Sequence, residues 1–223
     1  MAIECREDCL ATLGVVAYRP RRPSRPREAV DTDGPGAADW QALEAQVRDC
    51  RQCELCEGRR QTVFGVGDHH ARMMVIGEAP GAEEDRQGEP FVGRAGQLLN
   101  SMLRAAGLSR EQVYIANILK CRPPNNRDPQ PAEVAQCLPY LRRQIELVAP
   151  KLLLCVGRIA AQNLLQTGQT IGRLRGRAHA LDSGLPVIVT YHPAYLLRSP
   201  GEKRKAWQDL KLAIGILGRG DGE

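Results

Sequence analysis

The chain has 223 residues, a formal net charge of +5 and 43% hydrophobic residues, enough for one α/β core with a terminal extension. Its longest apolar runs, such as 151–156, are far shorter than a membrane-spanning helix requires. The N-terminus lacks the apolar segment of a secretory signal, so we expect an intracellular protein with no membrane partner. In such a protein, eight cysteines indicate metal binding or reactivity rather than disulfides.

Residues 1–38 are predicted to be a disordered extension, because the Pro/Arg-rich stretch at 18–28 cannot bury enough apolar surface to fold. A solvated linker is favoured over a DNA-binding arm, and contact with a replication or repair protein is a further expectation. The folded domain is expected to span 39–220.

Short apolar, β-branched runs alternate with helical patterns along this domain, which favours a three-layer α/β/α fold around a central, mostly parallel, four-stranded sheet. The predicted strands are 72–76, 113–119, 152–156 and 186–190. The predicted helices are 38–48, 95–106, 131–148, 158–166 and 202–217.

Polar and glycine-rich segments follow the ends of all four predicted strands. In an open parallel sheet, ligands bind in the crevice beyond the carboxyl ends of the strands. A site at this edge is therefore predicted from the residues alone. The segments are Gly77–Glu84, Asn117–Cys121, Gly157–Arg158 and His192–Arg198.

Four cysteines are candidate metal ligands. Cys50 and Cys53 are separated by two residues, which lets two thiolates grip one metal from a single turn. Cys121 and Cys137 flank a proline-rich loop further along the chain. Four thiolates hold either zinc or an iron–sulfur cluster, and spacing does not choose between them. Cys56 competes with Cys53, since these two also form a Cys-x-x-Cys pair.

Three motifs, GEAPGAEED, PFVGRAG and HPAYLLR, resemble the signature motifs of the family 4 uracil-DNA glycosylases, the iron–sulfur members of their superfamily. The resemblance runs from about Ala45 to the last helix. It implies a uracil-DNA glycosylase-like fold and a repair enzyme that flips uracil out of DNA and hydrolyses the N-glycosidic bond, leaving an abasic site. It also implies single- and double-stranded uracil-containing DNA as substrate, and we expect a monomer in a bacterial or archaeal cytosol.

The same resemblance implies a 4Fe–4S cluster held by Cys50, Cys53, Cys121 and Cys137. In the family, the second ligand is followed by one residue and a leucine, a register that Cys53 fits and Cys56 does not. The cluster's expected role is to brace the loop after the second strand.

For the base pocket, the resemblance places Phe91 as the stacking wall. Asn117 offers a donor and an acceptor that suit the O4 and N3–H edge of uracil. Backbone N–H groups of Gly77 to Ala79 are further candidates for binding the base.

For the chemistry, His192 is the expected donor to uracil O2 as charge develops there. Glu78 is the first candidate to position water or stabilise the cationic sugar, and Glu84 is the second. Leu196 is expected to be the apolar wedge that enters the duplex, with Arg198 as a phosphate contact.

Two other classes of protein remain open at this stage. A non-catalytic nucleic-acid-binding module with a structural metal or cluster also fits the basic tail and the four-cysteine pattern, but needs neither Asn117 nor His192. An electron-transfer protein is disfavoured by the two pocket motifs. A superfamily variant that traps DNA covalently uses a histidine after the second strand, and CRPPNNRDPQPAE contains none, which favours turnover.

Overall fold

The computed structural model describes residues 35–219, so nearly all of the predicted extension lies outside the described residues. No helix in the described range is long and apolar enough to cross a bilayer. The strands are β1 Val66–Gly67, β2 Met73–Gly77, β3 Tyr114–Asn117, β4 Leu152–Val156, β5 Ala178–Ala180 and β6 Pro186–Thr190. The helices are α1 Pro35–Arg48, α2 Leu55–Gly58, α3 Ala82–Gln87, α4 Arg94–Ala105, α5 Pro131–Val148, α6 Arg158–Leu164, α7 Ile171–Leu174, α8 Pro193–Arg198 and α9 Lys203–Arg219.

The sheet has six strands in the order β1-β3-β2-β4-β6-β5. The four predicted strands form its parallel centre, which confirms the predicted fold class. Two edge strands, β1 and β5, add antiparallel pairs that were not predicted. Since β3 lies on one side of β2 and β4 on the other, the topological switch point falls between β2 and β4.

Helices cover both faces of the sheet and create two apolar cores. Alternate strand residues such as Ile76 and Cys155 face the core that includes α1 and α5. Their neighbours, such as Val75 and Leu154, face the core that includes α4 and α9. Every residue of β4 is buried, which explains its unbroken apolar run. Cys155, within this strand, is a fully buried core residue.

Candidate active site

The strand ends converge on one crevice. Gly77 and Asn117 are paired residues at the ends of β2 and β3. A Cβ added at Gly77 would lie 2.3 Å from Asn117 Oδ1 and 2.7 Å from Phe91 Cζ. The ring of Phe91 lies 5.7 Å from that of His192, centroid to centroid. A Cβ at Gly157, just past β4, would lie 3.1 Å from His192 Cβ. The structure therefore brings these predicted residues together. The absence of a side chain at Gly77 provides the space between Asn117 and Phe91.

Asn117 is a buried side chain with an unsatisfied acceptor. It is 2% exposed, and its Oδ1 has no hydrogen-bond partner within the described part of the chain. A buried polar atom without a partner costs free energy, and such atoms mark ligand sites. Its main chain is held by the buried Lys120, whose Nζ donates to the Asn117 carbonyl at 3.0 Å and also to Gln144 Oε1. The amide is thus presented to the crevice from a fixed backbone.

Glu84 fixes the turn that carries Phe91. Its Oε1 accepts hydrogen bonds from the N–H groups of Val92, at 3.0 Å, and Gly93, at 3.1 Å. Its Oε2 accepts from the N–H of Gly81 at 3.1 Å. Both oxygens are thereby engaged by the main chain. This geometry supports the turn that carries Phe91, and a direct role of Glu84 in catalysis stays a prediction from the sequence.

Phe91 adopts a conformation that non-glycine residues rarely adopt, with φ of 55°. Such a residue costs on the order of 1–3 kcal/mol and persists where its surroundings hold it. The Arg110 guanidinium does so by donating to the carbonyl oxygens of Pro90 and Phe91. Gly96 is required beneath the turn, because a Cβ there would lie 1.7 Å from the Phe91 carbonyl oxygen. Neither Arg110 nor Gly96 was found from the sequence.

Glu78 lies just past β2 and is half-buried. Burial and the nearby carboxylate of Asp128 raise its pKa to about 7, while the Arg158 cation opposes that rise. Arg158 Nη2 also bonds Asp128 at 2.6 Å. Neither Asp128 nor Arg158 was predicted to act on this carboxyl. Ala79, the next residue along the chain, is half-buried and packs against the core.

His192 is the N-cap of α8, and its ring orientation is set by that role. Its Nδ1 accepts a hydrogen bond from the Ala194 N–H at 3.1 Å. Burial lowers the pKa of His192 to about 4, and the nearby Arg198 cation adds to the effect. The imidazole is therefore neutral at pH 7, and because Nδ1 accepts, Nε2 carries the proton.

Leu196, the predicted wedge, is a buried residue of α8 in this structure. It is 0% exposed and faces residues of α4 such as Leu98 and Met102. The next residue, Leu197, is 38% exposed, and Tyr195 is 37% exposed. Arg198 is exposed as expected for a phosphate contact. On this short helix, Leu197 is therefore the leucine whose side chain faces solvent.

A second cavity is lined by thiols and is narrow, with a volume of about 10 Å³. The four predicted ligands all line it, and so does Cys56, so the cavity does not decide between Cys53 and Cys56. The cysteines reach it from the loop and helix after α1, from the end of β3 and from α5: Cys50, Cys53, Cys56, Cys121 and Cys137.

Donors surround these sulfur atoms. Arg59 Nη1 donates to Cys121 Sγ at 3.1 Å, and its Nη2 donates to the Cys50 carbonyl at 2.8 Å. The Lys120 N–H donates to Cys137 Sγ at 3.2 Å. Such N–H groups stabilise sulfur that carries negative charge. Arg59 was not identified from the sequence.

The cavity does not have the arrangement of a site for one metal ion. No three Cys, His, Asp or Glu side chains within the described range are grouped to hold a single ion.

Comparisons with known proteins identify the family to which the chain is similar. A family model described as the uracil DNA glycosylase superfamily matches residues 64–211. A type-4 uracil-DNA glycosylase from Archaeoglobus fulgidus is 44% identical over 181 residues, 78% of this chain and 91% of the relative. One from Thermotoga maritima is 42% identical over 179 residues, 78% of this chain and 93% of the relative. A type-5 enzyme from Pyrobaculum aerophilum is 34% identical over 171 residues, 70% of this chain and 75% of the relative.

Proposed function

The chain belongs to the uracil DNA glycosylase superfamily, and we propose that it is a repair enzyme of the type-4 class that removes uracil from DNA. The observation that carries this proposal is the unsatisfied Oδ1 of Asn117, buried beside the Phe91 ring at the end of the sheet. A flipped base supplies what both groups lack, a hydrogen-bond partner and a flat face.

Base selection rests on the amide of Asn117. Its Oδ1 accepts from uracil N3–H and its Nδ2 donates to O4. Cytosine presents an acceptor at N3 and a donor at N4, so a fixed amide would meet it with both polarities reversed. A site of this kind rejects the wrong base strongly, since its own polar atoms then stay unpaired.

The reaction breaks the bond between N1 and C1′, and the electron pair leaves with the base. Water oxygen forms the new bond to C1′, and its proton is lost to a base or to solvent. His192 donates Nε2–H to uracil O2 as charge gathers there, which is typically worth about 3 kcal/mol of barrier. Glu78, when ionised, stabilises the positive sugar and orients the water. The remaining predicted contacts are Gly77 and Ala79 to the base, and Arg198 to a phosphate.

The thiol cavity is proposed to hold a 4Fe–4S cluster on Cys50, Cys53, Cys121 and Cys137. When bound, the cluster would supply a structural cross-link between the segment after α1, the loop after β3 and helix α5. Burial raises the pKa of Cys137 to about 11, so its thiol ionises only when a metal replaces the proton. Arg59 offsets part of the negative charge of the thiolates through its bond to Cys121.

The proposed partner is uracil-containing DNA, single- or double-stranded, in the cytosol of a bacterium or archaeon. A monomer suffices, since one chain provides every proposed site residue. The contact expected from the N-terminal extension falls on residues outside those described.

The test is release of base from matched oligonucleotides that contain uracil or cytosine at one position. Wild-type protein is expected to release uracil alone. Asn117→Asp replaces the donor to O4 with a second acceptor and is expected to lower uracil release by roughly a hundredfold. His179→Ala, which changes a side chain of the edge strand β5, is the control and should keep full activity. Folded wild type that releases no base, or an Asn117→Asp variant with full activity, contradicts the proposal.

A further inference from the structure

A second concave surface, the Trp207 groove, lies between α4, α8 and α9. Its cavity volume is about 270 Å³, and its walls are mainly apolar: Leu98, Met102, Leu196, Ala206, Trp207 and Leu210. None of these residues belongs to the uracil pocket. The groove is large enough for one planar ring system and is open to solvent at Trp207.

Trp207 and Tyr195 are the two strongly exposed aromatic side chains among the described residues. Trp207 is 39% exposed, whereas the other tryptophan, Trp40, is 8% exposed and packs edge-on against Phe64 and Tyr114. Exposing a tryptophan forgoes much of the free energy that its burial would provide. An exposed indole beside an apolar groove indicates a surface for stacking.

Cations surround this indole. Lys203, Arg204 and Lys211 are the residues at i−4, i−3 and i+4 from Trp207, and so lie next to it on the helix. All three are exposed, and none forms an ion pair with an acidic side chain within residues 38–218. Lys205, on another side of α9, is instead bound to Glu202 at 2.8 Å. An anionic partner is therefore favoured over an apolar or basic one.

The groove is continuous with the proposed DNA-binding helix. Leu196 lines it, and His192 caps the same helix four residues earlier. Four helical residues rise about 6 Å, a distance of one to two nucleotide steps. A strand with its uracil beside His192 would therefore pass the groove within one or two nucleotides.

We propose that the Trp207 groove binds an unstacked base of the uracil-bearing strand, with the neighbouring phosphates on Lys203 and Arg204. Aromatic stacking together with a basic rim is how proteins hold single-stranded nucleic acid without reading its sequence. The surface would then favour single-stranded or frayed DNA, whose bases are free to stack. This inference rests on the proposed function only for the position of the strand.

The test uses a uracil-free thymine oligonucleotide, so that it gives an answer whether or not the protein is a glycosylase. The readouts are the dissociation constant and the intrinsic tryptophan fluorescence, measured for wild type, Trp207→Ala, Trp207→Phe and Trp40→Phe. We expect quenching in wild type and in Trp40→Phe, about tenfold weaker binding in Trp207→Ala, and near-normal binding in Trp207→Phe.

The cations give an independent readout if Trp207→Ala fails to fold. Lys203→Gln combined with Arg204→Gln removes two phosphate contacts and should reduce the slope of log K against log salt by about 1.4. Lys205→Gln is the matched control and should leave that slope unchanged. Unchanged affinity in folded Trp207→Ala, with or without quenching, overturns the proposal, and so does an unchanged salt slope in the double variant.

Discussion

The uracil pocket takes Asn117 from the last position of β3, and the thiol cavity takes Cys121 from the loop that follows. The two regions are built differently. The pocket collects residues from the carboxyl ends of parallel strands, where strand register fixes their positions. The cavity collects cysteines from a loop, a helix and a strand end that no register aligns. The shape of such a pocket depends on close packing of the protein itself, whereas the stability of the cavity depends on the group that binds inside it.

The two regions are joined by one buried polar connection. Lys120 lines the thiol cavity, and its Nζ donates to the carbonyl of Asn117. Gln144 accepts from that ammonium and donates to the Phe64 carbonyl at 3.0 Å. Substitutions in the cavity are therefore expected to disturb the pocket, whereas substitutions in the pocket should leave the cavity unchanged.

The largest expected effect comes from breaking the cavity. Cys121→Ser should abolish bound iron and brown colour and greatly reduce soluble protein, because the loop after β3 loses its cross-link. Cys155→Ala, whose thiol does not line the cavity, is the control that should retain iron. Cys56→Ala is expected to retain iron as well, since Cys53 is the proposed ligand. Iron content by chemical assay and soluble yield are the measurements. Stable, active Cys121→Ser protein without iron would contradict a structural role for the cluster.

Filling the pocket should have the next largest effect. In Gly77→Ala the new Cβ would lie within 2.7 Å of both the Asn117 amide and the Phe91 ring, so one of them must move. We expect about a hundredfold slower uracil release with iron and fold retained. Gly168→Ala, whose Cβ would meet nothing within 4 Å, should be as active as wild type. Equal rates for both variants would rule out close packing as the basis of the pocket.

Loosening the Phe91 turn should have an intermediate effect. Glu84→Gln replaces a carboxylate that accepts three main-chain hydrogen bonds, and should cost about 1–3 kcal/mol of stability and roughly tenfold in kcat/KM. Glu83→Gln changes an exposed side chain of the same helix, bound only to its neighbours Arg86 and Gln87, and serves as control. Chemical denaturation and single-turnover kinetics measure the two quantities. A catalytic rather than positioning role for Glu84 would reduce the rate without reducing stability.

The smallest effect is a shift in pH dependence. A carboxyl group with a pKa of about 7 is protonated below that pH, so a reaction that needs ionised Glu78 should speed up as pH rises through 7. Removing the Asp128 charge in Asp128→Asn should move the midpoint to lower pH, since that charge raises the pKa of Glu78. His192 cannot produce this rise in rate around pH 7, because its pKa of about 4 keeps the imidazole neutral there.

Single-turnover rates from pH 5 to 9 measure that rise. Glu78→Gln should be slow and flat across the range. Asp182→Asn, an exposed residue of the turn between β5 and β6, is the matched control for Asp128→Asn. An unmoved midpoint in Asp128→Asn, or a surviving rise in Glu78→Gln, assigns the ionisation to another group.

The sequence was sufficient for the parallel centre of the sheet and for locating the candidate site residues at its carboxyl edge. The bounds of β4, β6 and α5 agree with prediction because each is a continuous apolar run or a regular amphipathic helix. The edge strands β1 and β5 span two and three residues with no buried side chain, so they left no pattern to detect. The location of the candidate site could be predicted because parallel strands end at one edge of the sheet, which brings together the polar residues that follow them.

Long-range contacts account for what was missed. Arg59 bonds Cys121 across 62 positions in the chain, and no local pattern announces such a pair. Leu196 and Leu197 are adjacent leucines on a six-residue helix, and only its packing against α4 decides which one is buried. The number of thiols around the cavity likewise leaves the choice between Cys53 and Cys56 to experiment.

The most direct test is uracil release from a labelled oligonucleotide, single-stranded and opposite guanine, by wild type and His192→Ala side by side. We predict release by wild type and loss of about a hundredfold or more in the variant, with iron content unchanged. No release by folded, iron-containing wild type, or equal rates for the two proteins, would contradict a glycosylase whose uracil pocket is built around His192.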